Sequence, residues 1–354
     1  MAKGSKKEGG GIGELLAYAG DRKFLTYLGM ALSAFSQLLS FGPYVCIWLV
    51  ARDLIAVAPN WSEAADIAMY GWWAVGFALA SIVVYFVGLM CTHLSAFRCA
   101  SNIRKTTSEH LLKLPLGYFD THATGELRRI VDGCAASTET LLAHMLPDIA
   151  GATAMVVGLL VLLFALDWRL GAACLISVVV SFCAMATMMS GKGAEFMKAY
   201  MGALVKMNKT GTEYVRGIPV VKVFQQTVYS FKAFHDAIAE YADMAQNYAG
   251  TFCRGPQVLN LTALNGLVAF LLPVALLLAP GETDFAHFMA NFTFYAIFSA
   301  VVPTAMTKLM FVGEASQMSA DSLARIRSVM DSKQLSVPTQ PKHPAGNDVR
   351  FEDV

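Results

Sequence analysis

Long apolar stretches recur along the chain, and each is close to the length of a helix that crosses a bilayer. Six of them approach or exceed the roughly 20 residues that such a helix needs. They are Phe24–Val50, Met69–Cys91, Leu146–Leu166, Leu170–Met189, Val258–Ala279 and Phe285–Met306. The third and fourth are separated only by Asp167-Trp168-Arg169, which predicts a tight hairpin. The pattern therefore predicts an all-α membrane protein with six transmembrane helices.

Helix-forming sequence continues well beyond several of these apolar stretches. Met69–Leu114 contains few helix breakers and predicts one continuous helix, about 69 Å long at 1.5 Å per residue. Arg169–Met207 and the stretch from Val220 towards Leu278 predict similarly long helices. The spans are therefore expected to carry long helical extensions on the cytoplasmic side.

Two short segments rich in Gly and Pro interrupt these extensions. In LPLGYFDTHATGEL, Pro115 and Gly117 are predicted to break the incoming helix, and Gly125 marks the start of the next one. In TGTEYVRGIPVVKVF, Gly211, Gly217 and Pro219 are predicted to bound a brief turn of helix. Each extension pair is therefore expected to be joined by one short helix.

Two aromatic residues, Tyr118 and Phe119, are expected at the tip of the first of these segments. They suit a docking contact with another protein, because aromatic anchors carry much of the binding energy at interfaces. The alternative is that both rings pack against the helices of their own chain. Spacing alone leaves both interpretations open.

Composition and charge distribution agree with a membrane protein. Hydrophobic residues make up 56% of the chain and charged residues 15%, whereas soluble domains have about a quarter charged residues. With six alternating spans, Arg52 and Arg169 are the only bases, among 27 Lys and Arg, on the side opposite the N-terminus. By the positive-inside rule, both termini are predicted to be cytoplasmic, with the chain in the inner (plasma) membrane.

Motifs for covalent chemistry are absent from the sequence. It has no G-x-x-x-x-G-K-[ST], H-E-x-x-H or G-x-S-x-G segment. The seven cysteines are dispersed and form no C-x-x-C pair, which favours packing over a disulfide or metal framework. We therefore expect no catalytic residue, no metal site, no cofactor in this chain and no nucleic-acid partner.

Polar side chains in or near the spans are the candidates for a substrate cavity, because such groups are costly in lipid. They are His93, Arg98, Arg254, Gln257, Asn260, Asn265, Lys308 and Glu314. Gln257 and Asn260 fall on one helical face, with Arg254 one turn earlier. Asn and Gln in spans also serve as hydrogen-bonding contacts between helices, and Arg98 and Lys308 have the reach to snorkel to the interface. Bases outnumber acids in this set, which favours a substrate with anionic character.

The order of these features resembles the transmembrane domain of an exporter-type ABC transporter half-subunit, over essentially the whole chain. The family's first intracellular loop, FD…TGEL…R…D, is matched by Phe119, Thr124, Gly125, Glu126, Leu127, Arg129 and Asp132. Its second, E…GI..VK.F, is matched by Glu213, Gly217, Val221, Lys222 and Phe224. DSLARIRSVMD resembles the end of the sixth helix, and NDVRFEDV resembles the first strand of the attached nucleotide-binding domain.

The resemblance implies that the two short helices are coupling helices, which transmit closure of nucleotide-binding domains to the membrane helices. It carries that role to Tyr118, Phe119, Asp120, Thr124, Gly125, Glu126, Glu213, Tyr214, Arg216 and Gly217. Because Walker A, signature and Walker B motifs are missing, the chain itself is expected to hydrolyse no ATP. ATP and Mg²⁺ are expected in the full-length protein.

Three regions are expected along the chain. Residues 1–22 are predicted to form a tail and a short interfacial elbow helix with Leu15 and Leu16 on its apolar side. Residues 23–330 are expected to form the six-helix domain. Residues 331–354 are expected to form a linker and the first strand of a truncated nucleotide-binding domain.

The resemblance also implies a path for substrate by alternating access, with a second half-transporter, identical or related, and membrane lipid as further partners. The expected substrate is an amphipathic small molecule, drug, lipid or peptide that is exported. YVRGIPVVKVFQQTVYSFKAFHDAI is most similar to the mycobactin and yersiniabactin branch, so import of iron–siderophore complexes is an alternative. A six-span channel or scaffold without ATP coupling is a second alternative, although the polar pore stripe that it predicts is not evident. A secondary transporter is a third, although its inverted repeats are not evident either.

Overall fold

The computed structural model describes residues 11–224, 232–265, 267–336 and 346, and this part of the chain is helical without any strand. In chain order its helices are α1 (Gly11–Ala17), α2 (Lys23–Leu39), α3 (Gly42–Val57), α4 (Ile67–Leu111), α5 (Leu116–Thr121), α6 (Thr124–Arg128), α7 (Cys134–Thr140), α8 (Leu146–Ala165), α9 (Trp168–Met189), α10 (Lys192–Val223), α11 (Lys232–Gln246), α12 (Arg254–Asn265), α13 (Leu267–Leu278), α14 (Phe285–Phe298) and α15 (Val301–Met330). The strand predicted in NDVRFEDV lies outside the described residues.

Three π-helical turns join some of these helices into longer runs. Arg129–Gly133 and Leu141–Met145 link α6, α7 and α8 into a run of 42 residues, and Asn247–Phe252 links α11 towards α12. A π-turn holds one extra residue and redirects the side chains that follow it, and such turns are frequent at functional sites.

Five helical runs in the described residues are long and apolar enough to cross a membrane. They are Gly20–Val57, Ile67–Leu111, Thr124–Ala165, Trp168–Met188 and Phe285–Thr304. These runs confirm five of the six predicted spans and the all-α fold class. A shorter apolar helix, Phe270–Gly281, lies in the predicted fifth span, where residue 266 is outside the described residues.

The first span and one of the predicted long helices, Arg169–Met207, are interrupted in the structure. α4 is a single helix of 45 residues, as predicted. The first span, in contrast, has a break at Ser40 and Phe41, next to Pro43 in the first turn of α3. The helix predicted over Arg169–Met207 is also interrupted, because Gly191 has φ +54°, a left-handed conformation that favours glycine and ends α9.

The second predicted short helix is wrong as a separate element. Gly211, Gly217 and Pro219 all lie inside α10, which is continuous over 32 residues. A single glycine costs a helix only about 1 kcal/mol, so it does not end one by itself. Gly211 has a packing reason instead, since a Cβ there would lie 3.1 Å from the Phe234 ring of α11.

Helix α10 forms an antiparallel hairpin with α11 and the π-turn that follows it, and an aromatic ladder joins the two arms. We define the ladder as the ring pairs Phe196–Phe252, Tyr200–Tyr248, Tyr200–Tyr241 and Tyr214–Phe234, with centroids 5.2 to 6.2 Å apart. The hydroxyls of Tyr200 and Tyr241 are 2.8 Å apart, and Lys206 forms an ion pair with Glu240. Helix α10 therefore continues to Val223, beyond the turn that the sequence predicted around Gly211, Gly217 and Pro219.

The chain divides into two compact units. The first contains residues up to Ser36, Ile82–Gly151 and those from Leu309 onward, and the second contains Gln37–Ser81 and Ala152–Lys308.

In the first unit, α1 and α15 pack against α4 and the run from α7 to α8. Leu15, Ile103, Leu142 and Ile326 are almost completely buried in this core. The predicted N-terminal helix is therefore present, but its two leucines are buried in the unit instead of lying on its surface.

The first unit also contains a close backbone crossing of α2 and α4, which we call the glycine junction: Gly29, Ser33, Gly88 and Thr92. A Cβ on Gly29 would lie 2.6 Å from the Gly88 carbonyl oxygen and 2.4 Å from Cγ2 of Thr92. Small residues of this kind let membrane helices approach closely and gain van der Waals contact. No larger residue fits at Gly29 without separating the two helices.

Hydroxyl groups at this crossing connect α2 and α4 with the third predicted span. Pro147 has no N–H to donate to the carbonyl of Ala143 four residues earlier. That carbonyl accepts from the Thr92 hydroxyl at 3.0 Å, which also lies 2.9 Å from the carbonyl of Leu89. Ser33 donates to the Pro147 carbonyl at 2.7 Å. The proline is thus accommodated by neighbouring helices.

In the second unit, α9 packs on α12 and α13, and α3 packs on α14. The predicted hairpin between the third and fourth spans is confirmed, with Asp167 capping α9. Tyr295 of α14 is fully buried there, and its hydroxyl, which has one proton to donate, lies 2.7 Å from the carbonyl oxygen of Leu163 and 2.8 Å from that of Asp167. Gly171 allows the turn, since a Cβ there would lie 1.9 Å from the Leu163 carbonyl oxygen.

Replacing Gly29 by alanine tests the glycine junction. Gly29→Ala should lower stability by roughly 1–3 kcal/mol, because the methyl group meets backbone that has no room to move. The measurement is the midpoint of thermal unfolding in detergent. Gly71→Ala in α4 is the matched control, since nothing lies within 4 Å of its Cβ position. Equal stability of the two variants would contradict the close crossing.

A double-mutant cycle tests the role of Thr92. Thr92→Val should cost about 1 kcal/mol, because the Ala143 carbonyl loses a donor. With Pro147→Ala, the restored N–H supplies that carbonyl within its own helix, so the cost of Thr92→Val should shrink. Thermal unfolding of the four proteins measures both costs. The same cost in both backgrounds would show that Thr92 does not compensate for the proline.

Candidate functional site

The first elbow, residues 112–123, lies between α4 and α6 in the first unit. Pro115 is extended and precedes α5, which confirms a short helix at this position. Gly117 lies inside α5 and does not break it, whereas Gly125 lies at the predicted restart, in the first turn of α6.

The two predicted aromatic residues of the first elbow differ in exposure: Tyr118 is half-buried and Phe119 is exposed. Tyr118 stacks on His122 with centroids 4.0 Å apart, and His122 Nδ1 lies 2.9 Å from the Tyr118 carbonyl oxygen. Phe119 touches the edge of the Tyr118 ring and is exposed. The Tyr118–His122 pair thus stiffens the elbow, and Phe119 is available for contact with another protein.

Two leucines that sequence reasoning missed extend this apolar surface. Leu112 is 86% exposed and Leu116 is 85% exposed, and they precede Phe119 by seven and three residues. We call Leu112, Leu116 and Phe119 the elbow patch. The available signal was LLKLPLGYF, a cluster of leucines on both sides of the proline that ends the helix.

Exposed polar and charged residues lie along the first elbow and the helix that follows it. Asp120, Thr124, Gly125 and Glu126 are exposed, as a docking role requires. Asp132 lies 3.5 Å from Arg104 of α4 and 3.8 Å from Arg128. These exposed ion pairs contribute little to stability by themselves.

A further ion pair lies on α15 in the same unit. Arg325 donates to Asp321 at 2.8 Å. This hydrogen bond, together with the charges of Arg325 and Arg129, holds the pKa of the Asp321 carboxyl below its usual value. Asp321 therefore keeps its negative charge near Arg129, in the π-turn that follows α6.

The residues predicted for the second coupling element lie on the stem of the α10–α11 hairpin, in the second unit. Glu213 and Arg216 are exposed, Tyr214 stacks on Phe234, and Gly217 is half-buried within α10. Tyr214 and Arg216 line an open groove of about 890 Å³ together with Asn208, Phe234 and Ile238, among others. Residues 225–231, which follow α10, lie outside the described residues.

The predicted substrate residues fall in both units and have unlike environments. In the first unit, His93 is half-buried, with its ring centroid 4.7 Å from that of His144, and Arg98 is exposed. In the second unit, Arg254 and Gln257 are exposed on α12, whereas Asn260 is buried. The side chains of Asn265, Lys308 and Glu314 lie outside the described part of the structure.

Two buried asparagines make contacts between helices of the second unit. Asn260 accepts a hydrogen bond from Ser181 of α9. Asn291 of α14 accepts from the Trp48 indole of α3 at 3.0 Å. Both contacts correspond to the interhelical alternative that the sequence left open for polar residues in spans.

An apolar cavity of about 490 Å³ lies beside the start of α3, in the second unit. Its lining includes Phe41, Val45, Tyr70, Trp73 and Phe77, none of which was predicted as a binding residue. The sequence alone does not show whether an aromatic residue in an apolar span lines a cavity or packs against another helix.

The two bases that the sequence placed on the outer side are both paired with acids. Arg52 lies 2.8 Å from Asp53, and Arg169 forms ion pairs with Asp167 and Glu282. Among the described residues, no group of His, Cys, Asp and Glu could hold a metal ion.

Several proteins of known function are similar to this chain. Mycobactin import ATP-binding/permease protein IrtA of Mycobacterium tuberculosis is 27% identical over 205 residues, 58% of this chain and 23% of the relative. The protein of that name from Mycolicibacterium thermoresistibile is 24% identical over 311 residues, 86% of this chain and 33% of the relative. ABC transporter B family member 1 of Dictyostelium discoideum is 25% identical over 156 residues, 42% of this chain and 17% of the relative.

The chain thus spans a third or less of the length of these relatives. The family described as the ABC transporter transmembrane region matches residues 26–302, well over half of the 354 residues. With its all-helical structure and several membrane-spanning helices, the chain belongs to the ABC transporter transmembrane region family.

Proposed function

We propose that this chain forms one half of the translocation path of an ATP-driven transporter. Six spans do not easily enclose a path, so a second half-transporter, identical or related, would complete it. Closure and reopening of attached nucleotide-binding domains, which bind ATP and Mg²⁺, would expose the path alternately to the two sides. The family match supports this proposal, and both termini would lie in the cytoplasm, with the chain in the inner membrane.

We further propose that the cargo is an iron–siderophore complex and that it moves inward. One observation carries this step: two of the relatives described above bear the name mycobactin import ATP-binding/permease protein. The segment YVRGIPVVKVFQQTVYSFKAFHDAI also resembles that branch. Export of an amphipathic small molecule is the alternative outcome.

The elbow patch would couple this chain to a nucleotide-binding domain. Exposed apolar side chains at a polar helix tip are costly in water, and their burial at an interface is favourable. The exposed acids Asp120 and Glu126 would provide a polar rim around that contact. Tyr214 and Arg216, in the groove of the second unit, would serve the second coupling contact.

Iron uptake tests the cargo and its direction. Cells that carry the intact gene for this protein should accumulate more radioactive iron from a ferric siderophore than cells that lack it. The gain should disappear when cellular ATP is depleted. Equal uptake in both strains would contradict import, and ATP-dependent loss of an amphipathic compound from the same cells would favour export.

Alanine at Leu116 and Phe119 tests the coupling role of the elbow patch. Loss of an interface anchor costs about 2 kcal/mol, or roughly thirtyfold in affinity, so siderophore uptake by the full-length protein should fall strongly. Thermal stability should change little, because both side chains are exposed. Leu277→Ala, at an exposed leucine of α13, is the matched control. Unchanged uptake in the elbow variants would contradict docking at this patch.

A further inference from the structure

The chain that leaves α15 folds back onto the end of α4, within the first unit. We call Asp331–Ser336 the C-terminal strap. The N–H of Leu335 donates to the carbonyl of Lys113 at 2.8 Å. Lys113 lies between the end of α4 and Pro115, which precedes α5. The strap therefore binds directly to the first elbow.

A single buried histidine holds the rest of the strap. His110, in the last turn of α4, is 9% exposed. Its Nε2 lies 3.0 Å from the carbonyl oxygen of Ser332, and its Nδ1 lies 2.8 Å from Nε2 of Gln334. A carbonyl only accepts, so Nε2 donates to Ser332 and Nδ1 accepts from the Gln334 amide. One imidazole thus uses both ring nitrogens on two residues of the strap.

Among the described residues, the strap makes few other hydrogen bonds. Ser332 and Asp331 bond back to the last turn of α15, through the carbonyls of Val329 and Arg327. The Leu335 side chain is 59% exposed, so apolar burial does not hold it in place. The attachment of the strap to α4 therefore depends mainly on the two hydrogen bonds of His110 and on the backbone bond of Lys113.

We propose that His110 is a positioning residue that couples the chain beyond α15 to the first elbow of the same chain. Movement of that chain would pull on Ser332 and Gln334, and His110 would pass the displacement to the end of α4 and to Lys113. This route lies within one polypeptide and is distinct from docking at the elbow patch. It rests on the proposed transport function.

Hydrogen exchange in the full-length protein tests the strap without any need for transport. His110→Ala should raise the exchange rate of the Leu335 amide at least about fivefold, because two hydrogen bonds that hold the strap are lost. His110→Gln, which offers a donor and an acceptor on a side chain of similar reach, should restore slow exchange. His235→Ala, at an exposed histidine of α11, should leave exchange unchanged. Equal exchange in wild type and His110→Ala would overturn the proposal.

The ratio of siderophore transported to ATP hydrolysed, in proteoliposomes, tests the coupling. His110→Ala should lower this ratio severalfold, and His110→Gln should rescue it. A merely structural role would lower transport and hydrolysis together and leave the ratio unchanged, which would overturn the proposal. Absence of transport by the wild-type protein would instead overturn the proposed cargo, and the exchange measurement would still decide on the strap. If the wild-type protein hydrolyses ATP without transporting siderophore, the ratio is taken differently. The rate of ATP hydrolysis with another amphipathic compound is then divided by the rate without it.

Discussion

The close contact between Gly29 and Gly88 makes possible the hydrogen bonds that join α2, α4 and the third span in the first unit. In lipid, apolar side chains gain little by leaving the solvent, so helix pairs depend on close packing and on hydrogen bonds between them. The missing Cβ atoms bring α2 and α4 near enough for Thr26 to reach Ser95 at 2.7 Å. The same crossing places Thr92 and Ser33 against the segment around Pro147, whose backbone lacks a donor. A proline in the third span is therefore tolerated because two glycines lie in other helices.

Hydrophobic run length predicted most of the spans, since crossing a bilayer imposes a minimum number of apolar residues. The short helix α5 was also predictable, because Pro115 has local consequences for the backbone. The second short helix was not, because a glycine looks the same in sequence whether it ends a helix or admits a neighbouring ring. At Gly211 the ring of Phe234, 23 residues later, decides between these roles. The break before α10 has the same origin, since only the backbone shows that Gly191 is left-handed.

The candidate site was predictable to the extent that its signals were local. Tyr118 and Phe119 stand out in the sequence as aromatics near a helix breaker, and Phe119 is exposed as expected. His110 carries no such signal, because its partners Ser332 and Gln334 lie more than 200 residues away. The polar residues of the spans were ambiguous for a chemical reason. An amide suits a ligand and a neighbouring helix equally, and Asn260 has Ser181 as its partner.

The aromatic ladder between α10 and α11 limits how this hairpin is able to move. Its rings recur along each helix, so a slide by part of a helical turn would separate several ring pairs at the same time. Intermediate positions therefore lack the contacts that hold the hairpin together, and the next matching register lies a whole turn away, about 5.4 Å. A displacement at the end of the hairpin would consequently move both of its arms together, because the ring pairs oppose gradual sliding of one arm along the other.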